Sequence, residues 1–440
     1  MKRFLLLPAV VCLLFISIKS NSQTANDSIL TNASLSSCIQ YALKHQALIQ
    51  QALTDEKITE ENIKTKLADW FPQLNFNANY QNNMQLPATI FSGNIVYTGV
   101  YNNSTLGFNA TQNIFNKDVL LASKSKDDIR KQIRQITDSD RISLAVYVTK
   151  AFYDVLLTQK QADVLDEDIL RLERSLKDAY NQYQGGLVDK IDYKRATISL
   201  NNTKAQRKQS DGVLTAKYFY LKQLMGYPDS SQIHLLYDSA RMEKELIIDT
   251  TQQINYDDRI EFKILQTQKK LMQYNIQYYK WGYYPTLSAY ANYNLNYLNS
   301  EFSKLYTQNF PNANIGLQLS VPIFQGMKRT HQVRTAQLQS DRLNFGEVLL
   351  KSRINTEYAQ SLANYKGSLA HYFALKENVE LASDVYNVIQ LQYQHGIKTY
   401  LDVILAESDL KTSQLNYFTS LYQLLASKID VQKALGLIQY

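Results

Sequence analysis

One pattern occurs twice in this chain, and the duplication limits the available folds more than any other feature. Gln182-Tyr183-Gln184-Gly185-Gly186 returns as Gln392-Tyr393-Gln394-His395-Gly396, an offset of 210 residues. Asp192 and Asp402 keep that offset, as do Leu224-Met225-Gly226 and Ala434-Leu435-Gly436. Upstream, Trp70-Phe71-Pro72-Gln73-Leu74 matches Tyr283-Tyr284-Pro285-Thr286-Leu287 at an offset of 213, and Ile114-Phe115 matches Ile323-Phe324 at 209. A repeat this long is a duplicated domain, not a solenoid of short units.

Each copy reads in the same order. A helix starts near Ser34, whose hydroxyl can cap a free first-turn N–H, and another starts near Asp257. Pro72 and Pro285 end these helices, because proline lacks an N–H and turns its predecessor towards extended geometry. Runs with a period of two follow. Leu74, Phe76, Ala78 and Tyr80 interleave with asparagines and Gln81, and Leu106, Phe108, Ala110, Gln112 and Ile114 interleave with polar residues and Gly107. In the second copy the apolar sets are Leu287 to Tyr297 and Ile315 to Ile323, at alternate positions. Such runs predict strands with one apolar and one uncharged polar face, close to the length that crosses a bilayer when tilted. A soluble sheet with one solvated face would show the same alternation. The two tryptophans of the chain, Trp70 and Trp281, stand just before the strand-starting prolines with Phe71, Tyr283 and Tyr284. They suit a membrane-interface girdle, or a core at a helix–sheet junction.

Two proline-free stretches come next, about 117–184 and 327–394, each roughly 100 Å long as a helix at 1.5 Å per residue. Scarce Gly (14) and Pro (7) leave such helices uninterrupted. Gly-containing turns lead to returning helices at about 187–225 and 397–435. On the last, Phe418, Leu421, Leu425, Ile429, Gln432 and Leu435 form a narrow stripe of the kind used in coiled-coil packing. The chain is therefore expected to be an α+β protein with duplicated long helical hairpins and four strands. Four strands cannot close a barrel, and an open edge in lipid strands backbone groups without partners. If these strands span a membrane, several copies must share one barrel.

The N-terminus agrees with export. Lys2 and Arg3 precede a mostly apolar run from Phe4 to Ile18, followed by small polar residues, which predicts a signal peptide over 1–22. A membrane anchor is the other reading, but the run is short of the roughly 20 residues a spanning helix needs. Cys12 follows the bulky Val11, a poor lipoprotein site. Loss of the segment takes the formal charge from +7 to +4 and leaves Cys38 without a disulfide partner. That mild, evenly spread charge does not call for nucleic acid. No later apolar run is long enough for a transmembrane helix. The predicted organisation is 1–22 signal, 23–225 first repeat, 226–256 linker and 257–440 second repeat.

Taken together, twice over and in this order, these motifs resemble the TolC family of outer-membrane efflux proteins across nearly the whole mature chain. The likeness is strongest over His395-Gly396-Ile397-Lys398-Thr399-Tyr400-Leu401-Asp402-Val403-Ile404-Leu405-Ala406-Glu407, and Asn255 to Phe262 resembles the family's second-repeat opening. The resemblance implies a homotrimer with a twelve-stranded barrel in the outer membrane and an α-helical barrel in the periplasm. It makes the linker an equatorial region. It also implies docking to a periplasmic adaptor protein and, through it, to an inner-membrane transporter of an efflux or type I secretion system. The duct itself is passive and needs no cofactor or metal. By the same resemblance, Gly185, Gly186, Leu187, Gly396, Ile397 and Lys398 are the tips that meet the adaptor. Asp384, Tyr386 and Asn387 fall at the closed inner mouth. Asn387 stands where the family often has a carboxylate, which weakens an acidic, cation-binding ring; three copies of Asp384 could still supply one. Plain hairpin turns and a solvated helix face are the plainer readings of these two sets.

Two other function classes compete. An enzyme is disfavoured: His45, His234, His331, His371 and His395 show no metal spacing, and Gly185-Gly186 lies between helices rather than after a strand. A periplasmic or surface coiled-coil structural protein explains the helices but not four amphipathic strands flanked by aromatics.

Overall fold

The computed structural model describes residues 32–186, 189–236, 242 and 246–440. The predicted signal segment and Leu187 lie outside the described residues. The first half contains α1 (Leu35–His45), α2 (Ala47–Ala68), β1 (Gln73–Asn82), β2 (Ala88–Phe91), β3 (Asn94–Tyr97), β4 (Asn102–Phe115), α3 (Lys117–Gln184) and α4 (Lys190–Met225). The second contains α5 (Ile260–Trp281), β5 (Thr286–Asn299), β6 (Asn309–Ser320), α6 (Lys328–Gln394) and α7 (Tyr400–Leu435). Ser34 caps α1 by accepting from the Ser37 backbone N–H at 3.2 Å. Strands β1 and β5 begin directly after Pro72 and Pro285, as their backbone chemistry requires.

The sequence predicts one helix from Ser34 to Pro72, and the structure divides it. Gln46 is extended (ψ 126°) between α1 and α2. The cause is a backbone brought against the break. Gly226 ends α4 with φ +65°, and a Cβ there would lie 2.8 Å from the His45 carbonyl oxygen. Gln46 Nε2 donates to the Gln223 carbonyl at 3.1 Å across the same contact. The second half repeats the device: Gly436 (φ +76°) ends α7, and its Cβ would lie 2.8 Å from the Asp258 oxygen. There a short 3-10 turn, Tyr256–Asp258, and extended Arg259 precede α5. The duplication thus preserves a specific close approach between the end of each hairpin and the entry of its half.

The main apolar core lies where α1, the mid-part of α3 and the ends of α4 and α7 meet, and it includes Ile49, Leu156, Leu221, Met225, Leu424 and Leu425. On α7, Leu421, Leu425 and Leu435 of the expected stripe are buried, joined by Leu424 and Val431. The segment between the halves is tied to this core. Ala33 donates to the His234 carbonyl at 2.8 Å, and the buried Tyr365 of α6 donates to the Leu246 carbonyl at 3.0 Å while accepting from the Ile248 N–H at 3.1 Å. The abundance of tyrosine therefore serves the helices as well as the sheet: Tyr365, Tyr372 and Tyr400 are buried helical residues.

The four long strands form one antiparallel sheet in the order β1-β4-β5-β6, which leaves β1 and β6 as unpaired edges among the described residues. Two strand ends differ from expectation. β6 stops at Ser320, because Pro322 cannot continue the ladder, so Val321 and Ile323 lie beyond it. A bulge near the end of β4 places Phe115, rather than Ile114, opposite Leu287. The β2–β3 hairpin, turning at Ser92 and Gly93, was not anticipated. Among the described residues no helix is long and apolar enough to cross a membrane.

Candidate functional site

The register sorts the sheet into two chemically distinct faces. Cross-strand partners share a face, so Phe76, Phe108 and Tyr293 lie in one row, and Leu74, Ala110, Ala291 and Ile315 in another. This face carries large apolar side chains open to the surroundings; Leu74 is 71% exposed and Ile315 is 85% exposed. The opposite face holds Asn75, Asn109, Asn292 and Asn314 in a single row across all four strands. Asn292 donates to Asn314 at 2.8 Å, and in the next row Asn294 donates to Asn312 at 3.0 Å. Neither face of the four strands carries a charged side chain. An apolar outside and an uncharged, amide-rich inside are what lipid on one side and water on the other would select.

All four strands meet helices or their connections at one end of the sheet, and the predicted girdle sits there. Trp70, Phe71, Tyr283 and Tyr284 are exposed. Trp281 is partly covered, with the Lys124 ammonium 5.0 Å from its ring centre. The Arg329 guanidinium stands 4.7 Å over Tyr283. Sequence reasoning missed Phe115, Ile323 and Phe324, exposed at the same level. It also missed a second aromatic group at the far end: Tyr80 meets Phe302 edge-on at 5.7 Å, and Tyr297 meets Tyr306 at 5.0 Å. From Phe71 to Tyr80, near the end of β1, the strand runs about 30 Å, which at a tilt of about 40° spans roughly 23 Å, close to the apolar band of about 25 Å on a membrane barrel.

The predicted tips come together at the other extreme of the chain. Gly186 (φ +72°) and Gly396 (φ +73°) occupy left-handed backbone, whereas Gly185 (φ −78°) and its counterpart His395 do not. That is why histidine can replace glycine at the first position but not at the second. Ile397 and Lys398 are exposed. The two turns touch: Tyr393 donates to Gln182 Oε1 at 3.0 Å. Beneath them Ala179, Ala196 and Tyr400 make a small separate core. Thr399 and Asp402 cap α7 reciprocally, the Thr399 N–H donating to Asp402 at 2.9 Å.

The predicted mouth residues do not share one face of α6. Asp384 and Asn387 are exposed on α6, while Tyr386 turns to the opposite side, where burial raises the pKa of its hydroxyl. Next to the first two runs an exposed apolar seam of Leu381, Val385, Val388 and Leu391. A helix with such a seam needs a partner helix, and the described residues supply none on that side.

The chain matches the model of the family described as outer membrane efflux protein over residues 38–227 and 262–437. It belongs to that family. The outer membrane protein TolC of Vibrio cholerae serotype O1 is 20% identical over 380 residues, covering 83% of this chain and 82% of that protein. Among solved structures, the outer membrane protein VceC of Vibrio cholerae superimposes with a TM-score of 0.72 at 15% identity, over 91% of this chain and 96% of that one. CusC superimposes with a TM-score of 0.74 at 16% identity, over 93% of each chain. This efflux-family member is an outer-membrane exit-duct subunit. Its fold is that of the outer-membrane efflux channels, with long helical hairpins and a four-stranded sheet in each chain.

Proposed function

We propose that three copies close a twelve-stranded barrel through β1 of one copy and β6 of the next, and that cargo leaves through it without chemistry or energy supplied by this chain. The observation that carries the reading is the open sheet with one lipid-compatible face and two unpaired edges. β1 and β6 run antiparallel to each other, so successive copies can join by ordinary antiparallel pairing. An eight-stranded barrel is filled by its own side chains, whereas a wider one leaves a lumen. The asparagine rows then line an uncharged passage, suited to cargo of either sign.

Within this arrangement the aromatic groups at the two sheet ends mark the lipid boundaries, with Trp70, Phe71, Trp281, Tyr283 and Tyr284 on the periplasmic side. Residues 1–22 direct export, and 226–256 form the equatorial linker between repeats 23–225 and 257–440. Gly185, Gly186 and Leu187, with Gly396, Ile397 and Lys398, dock the adaptor. Asp384 and Asn387 face the inner mouth, and Tyr386 holds α6 against its neighbours. Efflux and type I secretion both fit a duct of this design.

Single cysteines on the two edges test the assembly. Ala78→Cys in β1 is combined in turn with cysteines at Ala313, Ile315 and Leu317 in β6. Native Cys38 stays silent, since it is fully buried and burial pushes its thiol up to about 12. Oxidation in isolated membranes is expected to give a ladder that ends at three chains for at least one pair. A ladder running past three, or none at any register, contradicts the shared barrel.

A further inference from the structure

Near the tips, α3, α4, α6 and α7 enclose a charged cluster that conduction through the barrel does not require. Asp168 of α3 is fully buried, and Glu407 of α7 is 2% exposed. Asp168 is well served. It accepts from Arg171 Nη2 at 3.3 Å and from Thr203 Oγ1 of α4 at 3.1 Å, and Lys411 Nζ of α7 lies 3.3 Å away. Glu407 is not. Arg171 Nε stands 3.7 Å from Oε1, beyond hydrogen-bonding reach, and neither carboxylate oxygen has a hydrogen-bond partner. Arg171 Nε is unpartnered as well.

A buried carboxylate without donors favours its neutral form. Burial is the largest influence on Glu407 and the Asp168 charge adds to it. Together they outweigh Arg171 and Lys411, and the carboxyl is pushed up to about 7. The groups around it are few. From α3 come Asp168 and Arg171, the latter shared with the exposed Glu167 at 3.9 Å, and from α7 come Lys411 and Tyr400. α6 contributes Tyr386, and α4 contributes the neutral Thr203. With Glu407 ionised, two buried carboxylates share the cluster; protonating Glu407 removes one of those negative charges.

We propose that Glu407 is a proton-operated latch between the hairpins: neutral, it keeps α7 packed on α3, and ionised, it favours a looser arrangement that lets water reach it. The proposal rests on the reading of the hairpins as the inner end of the duct, which must part for passage. Because the packed state binds this proton more tightly than a solvated glutamate does, packing is favoured fully below about pH 4.5. That advantage is lost as pH rises towards 7 and stays lost above it. The inner end is therefore tighter in acid and looser in alkali.

Hydrogen–deuterium exchange on the intact detergent-extracted assembly, corrected for intrinsic pH dependence, reads the latch directly. Planar-bilayer conductance is recorded on the same samples. Exchange in 165–175 and 402–411 is expected to rise at least tenfold between pH 5.5 and 8.5, with its midpoint near 7. Glu407→Gln should hold the acid-side protection throughout. Arg171→Gln should move the midpoint upward by removing a neighbouring cation, and it carries the test if Glu407→Gln fails to assemble. An unchanged profile in Glu407→Gln, an unmoved midpoint in Arg171→Gln, or a flat wild-type profile overturns the latch. Conductance steps without pH-dependent exchange overturn the latch and leave the duct standing. The latch profile without any conductance supports the latch and counts against the duct.

Discussion

Gly226 and Gly436 each hold a hairpin end against the entry of its own half, and both do so in backbone that favours glycine. A left-handed non-glycine residue costs about 1–2 kcal/mol, and overpacking a close contact costs about 1–3 kcal/mol more. Gly226→Ala and Gly436→Ala are each expected to lower stability by roughly 2–4 kcal/mol on those grounds. Gly212 is the control: it lies within α4 with open space where a Cβ would go. Gly212→Ala should gain about 0.5–1 kcal/mol through the unfolded chain. Thermal unfolding of the detergent-extracted protein separates the cases, and equal melting shifts for Gly226→Ala and Gly212→Ala would refute the close-approach account. Arg259 makes a parallel case. It is buried, donates to Glu357 at 2.8 Å and reaches the Lys433 carbonyl at 3.0 Å. Its carboxylate partners are partly exposed. Arg259→Met is therefore expected to cost about 1.5–3 kcal/mol, the scale of charge-assisted hydrogen bonds, and a cost below 0.5 kcal/mol would show that solvent replaces the network.

The helical elements carry two further predictions. Removing the reciprocal cap with Asp402→Ala should cost about 1 kcal/mol and fray the first turn of α7. Faster amide exchange at 400–403, with the α3 turn unaffected, is the expected sign. The seam of Leu381, Val385, Val388 and Leu391 has no partner among the described residues of one chain. Burial of such a side chain is worth about 1.5–3 kcal/mol, so Val385→Asp should shift the protein from trimer to monomer in light scattering. An unaltered trimer would mean the seam is not an interface. At this scale much was legible in the sequence, because periodicity and punctuation are local. The proline stops, the glycine turns and the ends of α3 stand in the residues themselves. The break at Gln46 was not legible, since its cause sits at Gly226, brought near only by folding. Glu407 was hidden for the same reason: on the page it is one more charged residue on a polar helix. Its charged neighbours Asp168 and Arg171 are far off in sequence. Tyr386 was grouped with Asp384 and Asn387 by proximity along the chain, and helical geometry turns it to the other side.

For the whole molecule, the sheet edges decide what the chain can be alone. β1 and β6 present unpaired backbone groups beside side chains that suit lipid, and neither water nor a bilayer satisfies both in a single copy. α6 makes the same point in the periplasmic part, with Phe345, Val348 and Leu349 as well as the seam left uncovered. Trimerisation answers all of these at once. It would pair the edges, cover the helical seams and place the asparagine rows around a common lumen. The long helices then set the size of the assembly, since α3 and α6 have 68 and 67 residues and span about 100 Å each. The most direct measurement is the mass of the detergent-extracted oligomer, with negative-stain images of the same sample. A trimer shaped as a tube well over 100 Å long, helices plus a barrel about a bilayer thick, is the expected result. A water-soluble monomer or dimer with no barrel would contradict the shared duct.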